Sequence, residues 1–250
     1  MKLYSLLLAL LVCAATALFA QVPSAPSPFN LGTGNYSLTS WATTNANGTY
    51  PPNMQFYLFG AIDNTLATDE TASLWTGSYA ATSSTRIVGY ANGDGVGFVS
   101  TGTAGSGSPA NGFAGAAILA LNTTNRLNVR VGFTAGSIAA TLTNATFRNY
   151  AIVLEYKLPN DQLWQVVMGS GGPTDTVQFK APTVNNNPGT STISAASQTF
   201  NITLPSRCEN VPIVYLRWRY YQWSGVTTGT RPQMRIDDIL VQSDANTGNP

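Results

Sequence analysis

The sequence contains no histidine, and that absence removes more chemistry than any motif adds. No Ser-His-Asp or Cys-His catalytic arrangement can form, and zinc sites that need an imidazole are excluded. Cysteine is nearly as scarce, with only Cys13 and Cys208. Charged residues make up 9% of the chain, against roughly 25% in an ordinary globular domain. Setting aside Lys2, the 12 basic residues become eleven, matching the 11 acidic ones. A chain this neutral has no basic stripe with which to neutralise phosphates, so nucleic acid is not an expected partner. The phosphate-loop pattern GxxxxGK[ST] is absent. Gly93-Asp94-Gly95-Val96-Gly97 lacks the strand-to-helix setting of a dinucleotide site.

What is present begins with an export signal. Lys2 supplies a positive start, Leu6 to Leu18 is a mostly apolar run, and Ala20 precedes Gln21 at a cleavage position, so residues 1–20 read as a signal peptide. A lipoprotein signal at Cys13 is the rival reading. It fits less well, because Val12 is larger than the small residue such a site wants and Cys13 lies inside the apolar run. No later stretch is long and apolar enough for a transmembrane helix. The expected localisation is secreted or at the cell surface. Cys208 then has no internal partner and is expected to be a buried small hydrophobe, so stability must come from apolar burial and backbone pairing.

Residues 21–28 (QVPSAPSP) read as a Pro/Ser spacer, 29–242 as one domain, and 243–250 as a linker-like tail. No internal repeat is visible, which argues against a propeller or solenoid. Within the domain the hydrophobic period is two. Leu127, Val129, Val131 and Phe133 alternate with Asn128, Arg130, Gly132 and Thr134. Tyr150, Ile152, Leu154, Tyr156 and Leu158 form a second such run, Val214, Leu216, Trp218 and Tyr220 a third, and Phe200, Ile202 and Leu204 a shorter one. This pattern predicts strands with one face in a core and one in solvent. Less regular strands are expected over 54–61, 86–91, 96–100, 116–121, 163–168, 176–180 and 233–242. The total is about ten to twelve, with at most a turn or two of helix in 65–74. The fold class is all-β, an antiparallel β-sandwich and most readily a jelly roll. The segments 100–112 and 183–196 are too polar and rich in Gly, Asn and Pro to pack, and read as surface loops.

Three sets of residues could carry function. The first is the mature carboxylates, because glycoside hydrolysis needs only two acids. No two of them stand out as a pair, and Glu155 falls on the solvent-facing parity of its strand; the chain is not expected to be an enzyme. The second is Arg235-Ile236-Asp237-Asp238-Ile239-Leu240-Val241. Strict alternation there would bury an unpaired carboxylate, which is costly. A bulge at Asp237–Asp238 would let Ile236, Ile239 and Val241 all turn inward. The adjacent acids could then cap amides, pair with an arginine, or hold a structural Ca²⁺ with further donors such as Asp63 and Asn64. No other cofactor is implied. The third set is aromatic. Tyr221 and Trp223 share a parity with Arg217 and Arg219, opposite to Trp218, so with Trp75 they are the candidates for an exposed ligand-binding face. Rings of this kind stack on sugars, although core packing is their commoner fate. Asn35, Asn47, Asn122, Asn144 and Asn201 each begin an Asn-x-Ser/Thr triplet.

The segments FNLGTGNYSLTSW (29–41) with GTYPPNM (48–54), GAAILALNTTNRLNVRVGFTAG (115–136), and LPSRCENVPIVYLRWRYYQWSG followed by RPQMRIDDILV resemble a recurring extracellular module of Bacteroidetes-type bacteria. In the resembling proteins the module lies near the N-terminus of secreted, multi-domain surface proteins, often beside a lamin-tail-like domain or a type IX sorting domain. The resemblance implies a β-sandwich accessory module of undefined function and supplies no catalytic residues. In such a source, Asp175-Thr176-Val177 would resemble an O-glycosylation signal. This chain ends nine residues after Val241, so it is expected to be either a truncated larger protein or a stand-alone secreted form.

The expected function is adhesion or binding of a polysaccharide or cell-surface glycan, without catalysis. The alternative is a structural spacer or assembly domain, and a carboxylate glycosidase ranks third. Tyr221, Trp223 and Trp75 exposed together on one concave sheet face would favour binding; their burial would favour the spacer.

Overall fold

The computed structural model describes residues 25–59, 73–80, 86–90, 93–99, 113–142, 148–171, 175–182, 191–225 and 231–248. They form an antiparallel β-sandwich. Helix among them is limited to two three-residue 3-10 turns, Leu31–Thr33 and Ser206–Cys208. The strands, in chain order, are β1 (Phe29–Asn30), β2 (Tyr36–Leu38), β3 (Met54–Phe59), β4 (Ser73–Leu74), β5 (Ile87–Gly89), β6 (Val96–Phe98), β7 (Phe113–Asn122), β8 (Arg126–Ser137), β9 (Ala140–Leu142), β10 (Arg148–Lys157), β11 (Gln165–Val166), β12 (Gln178–Lys180), β13 (Ser191–Ile193), β14 (Ala196–Thr203), β15 (Val214–Gly225) and β16 (Met234–Ala245). The excess over ten to twelve comes from two- and three-residue strands, too short to leave a periodic signal.

One sheet runs β11-β10-β15-β7-β3-β4, with β12 also on β10 and a short parallel β1 on β7. The other runs β14-β8-β16-β6-β5, with β2 also on β16. A small separate pair joins β9 to β13. This pair, together with the buried Ile193, corrects the expectation that 183–196 is all loop: residues 191–193 are a strand and β14 begins at Ala196. The strand Ser73–Leu74 likewise replaces the end of the helical turn expected over 65–74. Residues 65–72 and 183–190, the loop 100–112, and Asp63 and Asn64 lie outside the described residues, as does the signal peptide.

The core lies between the sheets, on the parity read from the sequence. Tyr150, Ile152, Leu154 and Tyr156 from β10 and Leu216, Trp218 and Tyr220 from β15 meet Val129, Val131 and Phe133 from β8 and Ile236, Ile239 and Val241 from β16. Phe133 stacks on Phe200 at 4.8 Å between centroids, and Tyr150 on Tyr220 at 4.6 Å. Each fully buried large apolar side chain of this kind stabilises by about 1.5–3 kcal/mol.

Over β3, β7 and the first half of β15 the opposite parity of the first sheet is not in solvent. Tyr57 and Phe59 of β3 and Ala116 and Ile118 of β7 cluster there with Trp164, and Ala25, Leu74 and Tyr215 pack against them. Trp164 reaches this face from the connection after β10. The correction therefore falls on Glu155: it is fully buried, as is Arg217, and Lys157 and Arg219 are nearly so. Charge is tolerated there because two guanidinium groups share one carboxylate. Arg217 Nε donates to Glu155 Oε2, Arg219 bonds both carboxylate oxygens, and the Arg217 guanidinium lies 4.2 Å from the Trp164 ring centroid.

The predicted bulge in β16 is present. Asp237 pairs with Thr134 and Leu240 with Gly132, so the bulged strand gains a residue, and Asp238 takes a left-handed φ of 49°. Ile236, Ile239 and Val241 consequently all face inward, as the cost of burying a carboxylate required.

Candidate functional site

Trp223 faces outward on the parity of Tyr221, and it sits at a second bulge. Along β10 and β15, Tyr150 pairs with Gln222 and Asn149 with Ser224, which leaves Trp223 as the unpaired extra residue. Trp223 is 37% exposed, whereas Trp164 and Trp218 are fully buried and Trp41 and Trp75 half-buried. Lys180 of β12 extends along the same face and places its ammonium 4.2 Å from the Trp223 ring centroid.

Tyr221 lies on this face, two residues before Trp223. It stands opposite Ala151, whose far side pairs with Lys180. The small Ala151 leaves room above β10, and the Tyr221 hydroxyl accepts a hydrogen bond from Gln178 Nε2 across it. The Arg219 guanidinium sits 4.3 Å from the Tyr221 ring centroid. Burial raises the Tyr221 hydroxyl above its ordinary pKa, with the nearby Arg219 charge opposing, so the phenol stays neutral at physiological pH. The outcome is a small surface of one exposed indole, one half-buried phenol, an amide and an ammonium, all held by cross-strand contacts.

Trp75 does not belong to it. It follows β4 at the far edge of the first sheet, with β7 and β3 between it and β15. It packs against the inter-sheet core, and its carbonyl accepts from the Tyr50 hydroxyl. The reason is local: after β4 the chain returns to the sandwich interior, where an indole fills the space beside Tyr50.

Asp237 and Asp238 are parted by their bulge. Asp237 is 8% exposed; its Oδ2 accepts from Arg235 Nη1 at 2.9 Å and its Oδ1 from the Asp238 amide at 2.8 Å. Burial raises the Asp237 carboxyl above its ordinary pKa, with the Asp238 amide and the Arg235 charge opposing. Asp238 points to solvent. Among the described residues, no three acidic or cysteine side chains converge where a metal ion could sit. Of the roles open to this pair, the structure uses the arginine and the amide.

A second concavity had no sequence signal. A cleft of about 630 Å³ opens between β14 and the segment that carries Met168–Ser170 and Asp175–Gln178. Phe200 and Ile202 supply its apolar part, and Gln198, Asn201 and Thr176 much of its polar part. Its one described carboxylate, Asp175, accepts from the Gly171 amide at 2.7 Å. Glycosidases place two carboxyl groups about 5–9.5 Å apart, and the described lining offers no second acid. Gln178 belongs both to this cleft and to the Tyr221 contact.

No family model matches the chain, and no curated protein matches it. Among solved structures it is similar to the K1 cleaved adhesin domain of Lys-gingipain from Porphyromonas gingivalis W83, with 14% identity over 60% of this chain and 74% of that one and a TM-score of 0.28. Others are an endo-1,3-beta-glucanase from Streptomyces sioyaensis (14% identity, 88% and 100% covered, TM-score 0.38) and a family 16 carbohydrate binding module (11% identity, 61% and 79% covered, TM-score 0.25). All three are loose likenesses.

Proposed function

We propose that this protein is a secreted, non-catalytic β-sandwich module that binds carbohydrate at the cell exterior, through the face formed by Tyr221, Trp223, Gln178 and Lys180. The observation that carries the reading is Trp223, an exposed indole at a bulge on a sheet face that is covered farther along by Trp164. An exposed aromatic ring offers CH groups of a sugar a stacking plane, and the amide and ammonium beside it suit hydroxyl or carboxylate substituents. The low charge and the resemblance to extracellular surface modules support the same reading.

The test is retardation of the folded protein in native gels containing a panel of neutral and acidic polysaccharides, with and without calcium. Retardation by one glycan, abolished in Trp223→Ala and weakened in Tyr221→Phe without loss of thermal stability, is the expected result. A folded protein retarded by none of them would sink this reading in favour of a structural spacer. Retardation equal in wild type and Trp223→Ala would move the site elsewhere.

A further inference from the structure

β14 is an edge strand of a kind that folds normally avoid. It is eight residues long, pairs with β8 over its whole length without a register shift, and has no second neighbour among the described residues. Its sequence, ASQTFNIT, holds no charge and no proline. Native sheets blunt their edges with short strands, charges, proline or bulges, because an open row of N–H and C=O groups is a template for pairing. The other ends of both sheets follow that rule: β4 and β11 have two residues each, and β5 and β12 three.

The space beside β14 is also shaped. The cleft of about 630 Å³ follows Gln198–Thr203 on one wall and the segments Met168–Ser170 and Asp175–Gln178 on the other. An added strand needs about 4.8 Å of width, 3.4 Å of length per residue and some 10 Å of depth, so the cleft holds about four residues of extended chain. A thin strand fits such a slot and a second folded sandwich does not. Inside it, Phe200 and Ile202 are only half-buried, although they point between the sheets beside Val177. The open edge thus leaves the sandwich core incompletely closed.

We propose that this cleft receives an extended segment of another protein, which pairs with the free edge of β14. Its chemistry follows from the walls. Residues at every second position are apolar and cover Phe200, Ile202 and Met168; those between carry hydroxyl or amide groups, and a basic residue at one end lies near Asp175. The site shares Gln178 with the carbohydrate face, but the peptide probes the β14 edge and the glycan gels probe Trp223, so either reading can fail without the other.

The probe is a synthetic nonapeptide, acetyl-KTVTVTVTK-amide, titrated into the folded protein by fluorescence anisotropy. Amide hydrogen exchange is followed in parallel over residues 196–203. The controls are a peptide of the same composition without the alternation and the alternating peptide N-methylated at its edge-pairing positions. Binding of the alternating peptide, with slowed exchange in β14 and at least about tenfold weaker binding of both controls, is expected. Absence of binding, or equal binding of all three peptides, overturns the proposal. So does a concentration-dependent dimer that protects β14 without peptide, since a second copy would then be the occupant.

Discussion

Arg217 donates from Nε to Glu155 Oε2 at 2.7 Å, and the two residues stand directly opposite each other on β15 and β10 with no exposed side-chain surface. Arg219 closes on the same carboxylate at 3.0 Å. The cluster lies under the outer layer of the first sheet, where a lone charge would cost far more than it does at a surface.

Removing the shared carboxylate should therefore be severe. Glu155→Gln leaves two buried guanidinium groups without their counter-charge, and a loss of about 3 kcal/mol or more is expected. Urea unfolding monitored by tryptophan fluorescence checks it. A loss below about 1 kcal/mol would mean that water or another acid compensates the arginines.

The exposed pair of Arg130 and Asp244 behaves differently. Hydrogen bonds from Arg130 and Asn128 hold the Asp244 carboxyl down at about 2, against an ordinary value of 3.8. Because the folded value lies below the unfolded one, the stability it contributes is present above pH 3.8 and is lost as pH falls towards 2. Asp244→Asn should flatten the dependence of Tm on pH in that window, and salt should shrink the difference. Parallel pH profiles for the two proteins would reject this.

Cys208 should be inert. It is fully buried, its carbonyl accepts from the Thr123 hydroxyl, and burial pushes its thiol up to about 12. Little thiolate exists at pH 8, so a thiol reagent should label the folded protein negligibly and the urea-unfolded protein fully. Rapid labelling of the folded state would show that the region around Ser206–Cys208 opens.

The bulge in β16 should accept substitutions unequally. Gly95 has φ of +72°, and a β-carbon there would collide with the Ile236 carbonyl oxygen. Gly95→Ala should cost about 2 kcal/mol or more. Asp238 also has positive φ but points to solvent, so Asp238→Gly should stay within about 1 kcal/mol of the parent. Chemical denaturation of the two variants settles the order, and reversed costs would refute it.

The inward parity of β8, β10 and β15 was legible because a two-residue period is a local property. Ile236, Ile239 and Val241 revealed their bulge because an unpaired buried acid is expensive. The outward parity misled at Glu155 and Arg217: a charged side chain looks solvent-facing until Trp164, from a later connection, is seen to cover it. Trp223 could be named from parity with Tyr221, but its bulge could not, since it needs the register against Asn149 and Tyr150. Trp75 shared only a residue type with that pair. The cleft was invisible because its walls come from opposite sheets, at Met168 and Phe200, and its meaning lies in what does not pair with β14.

β16, Met234–Ala245, lies inside its sheet, with β8 on one side and β6 and β2 on the other. Until those residues leave the ribosome, β2, β5 and β6 have nothing to join them to β8. The second sheet of the nascent chain is therefore in two unconnected parts, and its long-range pairing delays closure further. Closure of that sheet thus waits until the chain has been made through Ala245.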